Sequence, residues 1–333
     1  MAWLKGVRTD GFIKIDENVN FRGTIIGAGD GIMRPYGALD YYVDGTDGSD
    51  SYSGKSWEGA FKTIQKALTT QIANASGKGD NIWVAPGTYA ESLTGNMTKV
   101  QIIGTTCGGM TNAVSIRPTI SNAYVGEMVE SAFRNIEFRE PTSDNQAYAA
   151  VAVKMDYSII DNCTFLGTTD YSGTVGLRIG GEGTPGEWEH MFNSRVSNCK
   201  VSTTGNRTYQ PDYGIVFGGI DVTTNSATRQ FIDSEIVNNR IFAQSAGIKL
   251  NTAASNCSGG LIIGNYLNSH QGSAGVATGI VENSGTTNNL CGVVNNRIVC
   301  SVSGIVDFGQ WNLQGNIVSV AGETGVSTHG YEA

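Results

Sequence analysis

Between Phe133 and Val318 the chain repeats one short phrase seven times, reading polar, Asn, one residue, apolar. The copies are Arg134-Asn135-Ile136-Glu137-Phe138, Asp161-Asn162-Cys163-Thr164-Phe165, Ser197-Asn198-Cys199-Lys200-Val201, Asn238-Asn239-Arg240-Ile241, Gly264-Asn265-Tyr266-Leu267, Asn295-Asn296-Arg297-Ile298 and Gly315-Asn316-Ile317-Val318. From Asn162 onward each is answered 8 to 16 residues later by a second phrase. These answers are Gly176-Leu177-Arg178-Ile179, Gly214-Ile215-Val216-Phe217, Gly247-Ile248-Lys249-Leu250, Gly279-Ile280-Val281-Glu282, Gly304-Ile305-Val306-Asp307 and Gly325-Val326-Ser327. Successive Asn lie 20 to 41 residues apart, an elastic period that marks a solenoid whose turns accept insertions.

Elements this short and rich in Val, Ile and Phe read as strands. Stacked coil on coil at roughly 4.8 Å, they pair in parallel and enclose a continuous core. The fold class is therefore all-β, a parallel β-helix. The Asn has a mechanical role in it: it tolerates the left-handed backbone of a sharp bend, and its amide can bond the equivalent Asn one coil away.

Composition agrees. Gly is abundant at 45 residues and Pro scarce at 6, none of them after Pro211; coil turns use Gly, whereas Pro deletes donors from stacked strands. A net charge of −8 without a basic stripe makes nucleic acid and anionic membranes poor partners. The six cysteines lack C-x-x-C spacing and a nearby His. They read as buried thiols, with one stacked disulfide between Cys163 and Cys199 as the other option; no metal site or cofactor is implied. Met1 to Gly6 leads into charged residues rather than an apolar run, so a soluble product made in a cytoplasm is expected.

Three regions are expected. Residues 1–37 form an arm too small for its own core, suited to attachment to a partner. Residues 38–95 hold a capping helix and the first coils, and residues 96–333 the β-helix. The helix is placed from Ser56 as N-cap, with Glu58 in its first turn and Trp57, Phe61, Ile64, Ala67, Leu68 and Ile72 at helical spacing. It is expected to close the open end of the solenoid. Before it, Asp44 to Asp50 carries three carboxylates that suit either a hydrogen-bonded turn or a calcium ion.

The run Tyr42-Val43-Asp44, Gly48-Ser49-Asp50, Phe61 to Leu68, Ile82-Trp83-Val84 and Pro86-Gly87-Thr88-Tyr89 resembles the N-terminal cap and first coils of the pectin-lyase-like superfamily. The likeness covers roughly residues 40 to 330. It implies a single-stranded right-handed parallel β-helix with an N-terminal capping α-helix, and looks especially like β-helix proteins of tailed phages. The chain departs from the enzymatic members: the polygalacturonase-like Asn-Thr-Asp, Asp-Asp and Gly-His-Gly patterns are missing, and Arg178 is the nearest thing to a pectate-lyase arginine, read as an outward strand residue.

Candidate sites follow from the repeats. The insertion containing Glu187, Trp188 and Glu189 sets an aromatic platform beside carboxylates, and Tyr209 and Tyr213 belong to the next insertion; together they form a candidate carbohydrate surface. Glu282 and Asp307 fall at the same place in successive answering phrases, about 5 Å apart if stacked in register, which suits a retaining glycosidase pair; inward or turn-capping acids are the plainer reading. Val216, Val281 and Val306 alternate outward and would form an apolar strip that buries in a homotrimer. The resemblance then implies a virion surface protein of a tailed bacteriophage, assembled in the host cytoplasm, as capsid decoration or a small tailspike adhering to host polysaccharide. Residues 1–37 would meet other virion proteins. The alternative is a polysaccharide depolymerase, hydrolase or lyase, on the same β-helix.

Overall fold

The computed structural model describes residues 37–105, 113–120, 122–139, 149–167, 175–180, 189–203, 211–217, 229–250, 256–268, 278–282, 290–301, 303–306, 312–320 and 326–329. The arm before residue 37 lies outside them. The described strands form a 21-stranded and a 10-stranded sheet. Each pairs in parallel with its counterpart one coil away, except that Asn316–Val320 and Val326–His329 run antiparallel. This is a right-handed parallel β-helix, as expected.

Every coil visits three faces in one order. The long face holds Tyr124–Val129 and Ala149–Asp156, then two shorter strands per coil, first Val175–Ile179 and Glu189–Phe192. A two-residue corner leads to the second face, with Ala132–Arg134, Ile159–Asp161, Arg195–Ser197 and Glu235–Val237. Another leads to the third face, with Ile136–Arg139, Thr164–Gly167, Lys200–Thr203 and Arg240–Phe242. Alternation sends one side chain in two to the interior. Like therefore stacks on like: Met97, Met128, Met155 and Met191 follow one another in register, fully buried. Each such burial contributes about 1.5–3 kcal/mol.

The corner between the second and third faces corrects the expected Asn alignment. Its first residue is left-handed in every described coil from Asn135 on: Asn135, Asn162, Asn198, Asn238 and Asn295 have φ of 50–58°, with Gly264 and Gly315 at 67° and 63°. Its second residue is the buried one, and runs Ile136, Cys163, Cys199, Asn239, Asn265, Asn296, Asn316. The repeated Asn thus occupies two different slots, bend in the early coils and ladder in the late ones. In the ladder Asn239 donates from N and Nδ2 to Asn265 Oδ1, Asn265 does the same to Asn296, and Asn296 to Asn316, all at 2.9–3.0 Å. Each Nδ2 also donates to a strand carbonyl, as Asn265 does to Ile236. Cys199 Sγ makes the equivalent contact to the Ile160 carbonyl at 3.6 Å, so the thiol substitutes for the amide. Cys163, Cys199, Cys291 and Cys300 are buried, and burial pushes the Cys199 thiol well up.

The opposite corner, between the long and second faces, has a ladder of serines. Glu130, Tyr157, Asn193 and Asp233 bend at φ of 43–50°, and Ser131, Ser158, Ser194 and Ser234 follow them. Ser131, Ser158 and Ser194 each donate a backbone N–H to the next serine's Oγ at 2.9–3.1 Å. Each of these hydroxyls donates in turn to a carbonyl two residues back.

The glycines of the answering phrase open each long-face strand for a different reason. A Cβ on Gly176 would sit 2.9 Å from the Gly214 carbonyl oxygen, one on Gly214 would overlap the Gly247 oxygen, and one on Gly247 would sit 2.7 Å from that of Gly279. The column is a close backbone contact that any side chain would separate.

The helix runs Ile64–Ala73, shorter than expected, and its N-cap is Thr63, whose side chain accepts from Lys66 N. Ser56 Oγ instead accepts from Gly59 N in a preceding turn, and Trp57 lies outside the helix against Tyr42. Ile72 is 45% exposed; Ile64, Ala67 and Leu68 enter the core cluster beside Tyr41, Val43 and Ile82, closing the first coil. Glu91, not Glu58, serves the helix N-terminus: its two carboxylate oxygens accept from Ile64 N and Gln65 N at 2.9 and 2.8 Å. Burial nevertheless raises its pKa. In the acidic loop Asp44 accepts from Thr46 N and Asp47 N, and Asp50 from Lys62 N and Thr63 N, the geometry of a hydrogen-bonded turn.

Candidate functional site

The site candidates of the sequence that fall among the described residues lie on the long face. Register fixes their rows. Ile179, Phe217, Leu250 and Glu282 pair coil to coil, and the first three belong to the core. Glu282 stands in register with that row by its backbone; its side chain, and the whole of Asp307, lie outside the described residues. So do Glu187, Trp188 and Tyr209. Glu189 opens the strand Glu189–Phe192, but its side chain is likewise outside the description.

The outward row of the same face is Val125, Ala152, Arg178, Val216, Lys249, Val281, Val306. Val216 was expected to stand open to a partner subunit. It is 1% exposed within the single chain, packed in a small second cluster with Ala152 and Val175 and flanked by Val125 and Tyr213. Val281 is half-buried, and the Val306 side chain is outside the description. The open valine strip thus loses the member that began it.

What the row offers instead is positive charge drawn away from water. Arg178 is only 4% exposed. Lys249, two coils on, is half-buried with its Nζ 4.7 Å from the centre of the Tyr213 ring; burial, acting alone, lowers its pKa. Burial and the nearby Asp212 raise that of Tyr213. At about 4.8 Å per coil the backbones of the two residues stand roughly 10 Å apart along the face, with Val216 between them. Toward the N-terminal end Lys154 Nζ pairs with Glu127 Oε1 at 2.9 Å. The sequence reading took this row as apolar because it followed the valines; Arg178 and Lys249, at the third position of their own phrases, were the signal that a buried polar strip was there.

No family model matches the chain, and no curated protein matches it. Solved structures do. The structure of Escherichia coli ybhc is 13% identical over 86% of this chain and 78% of that one, with a TM-score of 0.51. A pectin methylesterase in complex with a hexasaccharide is 13% identical, covering 87% and 91%, with a TM-score of 0.45. An alginate lyase from Paenibacillus is 12% identical, covering 77% and 97%, at 0.47. At such identity the likeness is one of fold, a parallel β-helix.

Proposed function

We propose that the protein acts on an acidic polysaccharide at the outward row of the long face, by elimination rather than hydrolysis. The observation that carries this reading is the pair Arg178 and Lys249, two cations withdrawn from water on one row beside an aromatic ring. Burial lowers the pKa of Lys249, and a titratable group perturbed in this way marks a functional site. A uronate is the anion that suits the row. Arg178 would hold its carboxylate through paired N–H donors, and the ring of Tyr213 would border the sugar. The Lys249 amine, made more available as the free base by its burial, would take the proton on the carbon beside the carboxylate. The electron pair left behind forms a carbon–carbon double bond as the glycosidic oxygen departs from the neighbouring carbon.

Incubation with polygalacturonate and alginate should produce the ultraviolet absorbance of an unsaturated uronide, and Lys249→Met should lower the rate by about 10²–10⁴-fold. New reducing ends without that absorbance would mean hydrolysis and overturn the elimination. Neither binding nor turnover on any uronate polymer would overturn the whole reading.

A further inference from the structure

The third face carries an outward row that the long-face chemistry does not use. In register it reads Thr164, Lys200, Arg240, Tyr266, Arg297, Ile317. Lys200, Arg240 and Arg297 are exposed. The guanidinium carbon of Arg240 lies 5.9 Å from the centre of the Tyr266 ring, that of Arg297 5.8 Å, from the coils before and after it. Arg240 also lies 6.0 Å from the centre of the Phe242 ring, which packs against Tyr266 at 5.9 Å. Among the described residues none of the three cations has an acidic partner. Glu137, on the same row, is two coils before Lys200 and holds Arg139 at 2.6 Å.

We infer that this ladder is a second binding surface for a linear acidic polysaccharide, laid along the solenoid axis. Cations over aromatic faces are held in place, so the arginine forks lose little freedom when they meet carboxylates. The coil rise spaces Lys200 and Arg240 by about 4.8 Å and the two arginines by about 10 Å, a straight line that suits an extended polymer rather than a compact ligand. The molecule as a whole carries net negative charge, −8 in all, so a polyanion is drawn to its cationic rows and repelled by the remaining surface. A nucleic acid strand, with a charge roughly every 3.4 Å, meets more of that repulsion than a polymer charged once per sugar. The inference shares its ligand class with the function proposed above but none of its residues.

The test is binding of the full chain to immobilised polygalacturonate, with dextran and a single-stranded DNA oligomer as comparison surfaces, and with oligomeric mass measured alongside. Arg240→Gln combined with Arg297→Gln should weaken polygalacturonate binding by roughly 10- to 100-fold, the range expected for charge-assisted contacts, at unchanged circular dichroism and mass. Lys249→Met should retain most of the binding, because the third-face ladder is intact. Unchanged binding in the double variant, equal binding to dextran, or tighter binding to DNA would overturn the inference. A changed mass would assign the ladder to a subunit contact and overturn it too. Loss of turnover in Lys249→Met with ladder-dependent binding preserved supports both readings; absence of turnover in the wild-type chain with that binding preserved removes the catalytic one alone.

Discussion

Asn265 is the clearest point at which the stacking of coils can be measured. Replacing it with Ala removes four hydrogen bonds: those from Asn239 N and Nδ2 to its Oδ1, and those from its Nδ2 to Ile236 O and Asn296 Oδ1. Two groups keep a partner, since Asn239 Nδ2 still donates to Val196 O and Asn296 Oδ1 still accepts from residue 265 N. The Asn239 N–H does not, and it is buried. Counting about 1 kcal/mol net for each lost bond, and more for an orphaned buried donor, the loss should be about 4 kcal/mol. Asn198→Ala is the matched control. It loses one exposed bond, to Asp161 Oδ1 at 2.9 Å, and leaves Ala in a left-handed bend, for about 1–2 kcal/mol. Urea unfolding followed by circular dichroism reads both, with the slope against denaturant checked for constancy between variants. If Asn265→Ala costs no more than Asn198→Ala, the buried ladder is not what secures the late coils and the reasoning fails.

Gly214→Ala tests the close backbone column: the added methyl would overlap the Gly247 oxygen and Ile241 Cγ2, so the variant should lose roughly 1–3 kcal/mol as an overpacked site, and a neutral result in the same urea assay would contradict the geometry. Tyr89 supplies an alkaline signature. Burial pushes its pKa up to about 12, against an unfolded value near 10; between those limits the unfolded chain releases a proton that the folded one keeps, so stability falls with rising pH. Tyr89→Phe should flatten that part of the stability profile, and an unchanged slope from pH 10 to 12 would show that another group causes it.

The solenoid was legible because its constraint is periodic. A turn that recurs every coil leaves the same residue in the same place, and the glycine of each answering phrase reports a backbone contact that exists only between coils. What the repeat concealed was the distinction between adjacent slots. Asn135 and Asn239 look alike in sequence, yet one is the left-handed bend and the other the buried residue after it; only the pairing of neighbouring strands separates them. The serine corner was readable in Ser131, Ser158, Ser194 and Ser234 and was missed because no Asn marked it. The helix was drawn too long because Trp57 and Phe61 keep helical spacing while packing from a turn. The candidate site was hidden for a similar reason: the valines of the outward row suggested a sticky exterior, and burial within the one chain cannot be read from alternation alone. Arg178 and Lys249 become meaningful only once Leu177, Ile179 and Leu250 are known to face the core.

The two ladders have a consequence for how such a chain can change. The corner between the second and third faces from Asn135 on, and the one between the long and second faces as far as Ser234, are two residues long and are tied to the corners above and below, so an insertion there would break contacts in three coils at once. Length differences between repeats fall instead beside the long face and between its halves, as in 168–174, 180–188, 204–210 and 218–228. Two sides of the solenoid therefore act as a ruled scale, with fixed graduations, and the third as its margin, where each coil can be written differently without disturbing the next. A surface that must follow a changing ligand is best placed along that margin, whereas a surface that must present charges at constant intervals, as the third-face ladder does, is best placed on the scale.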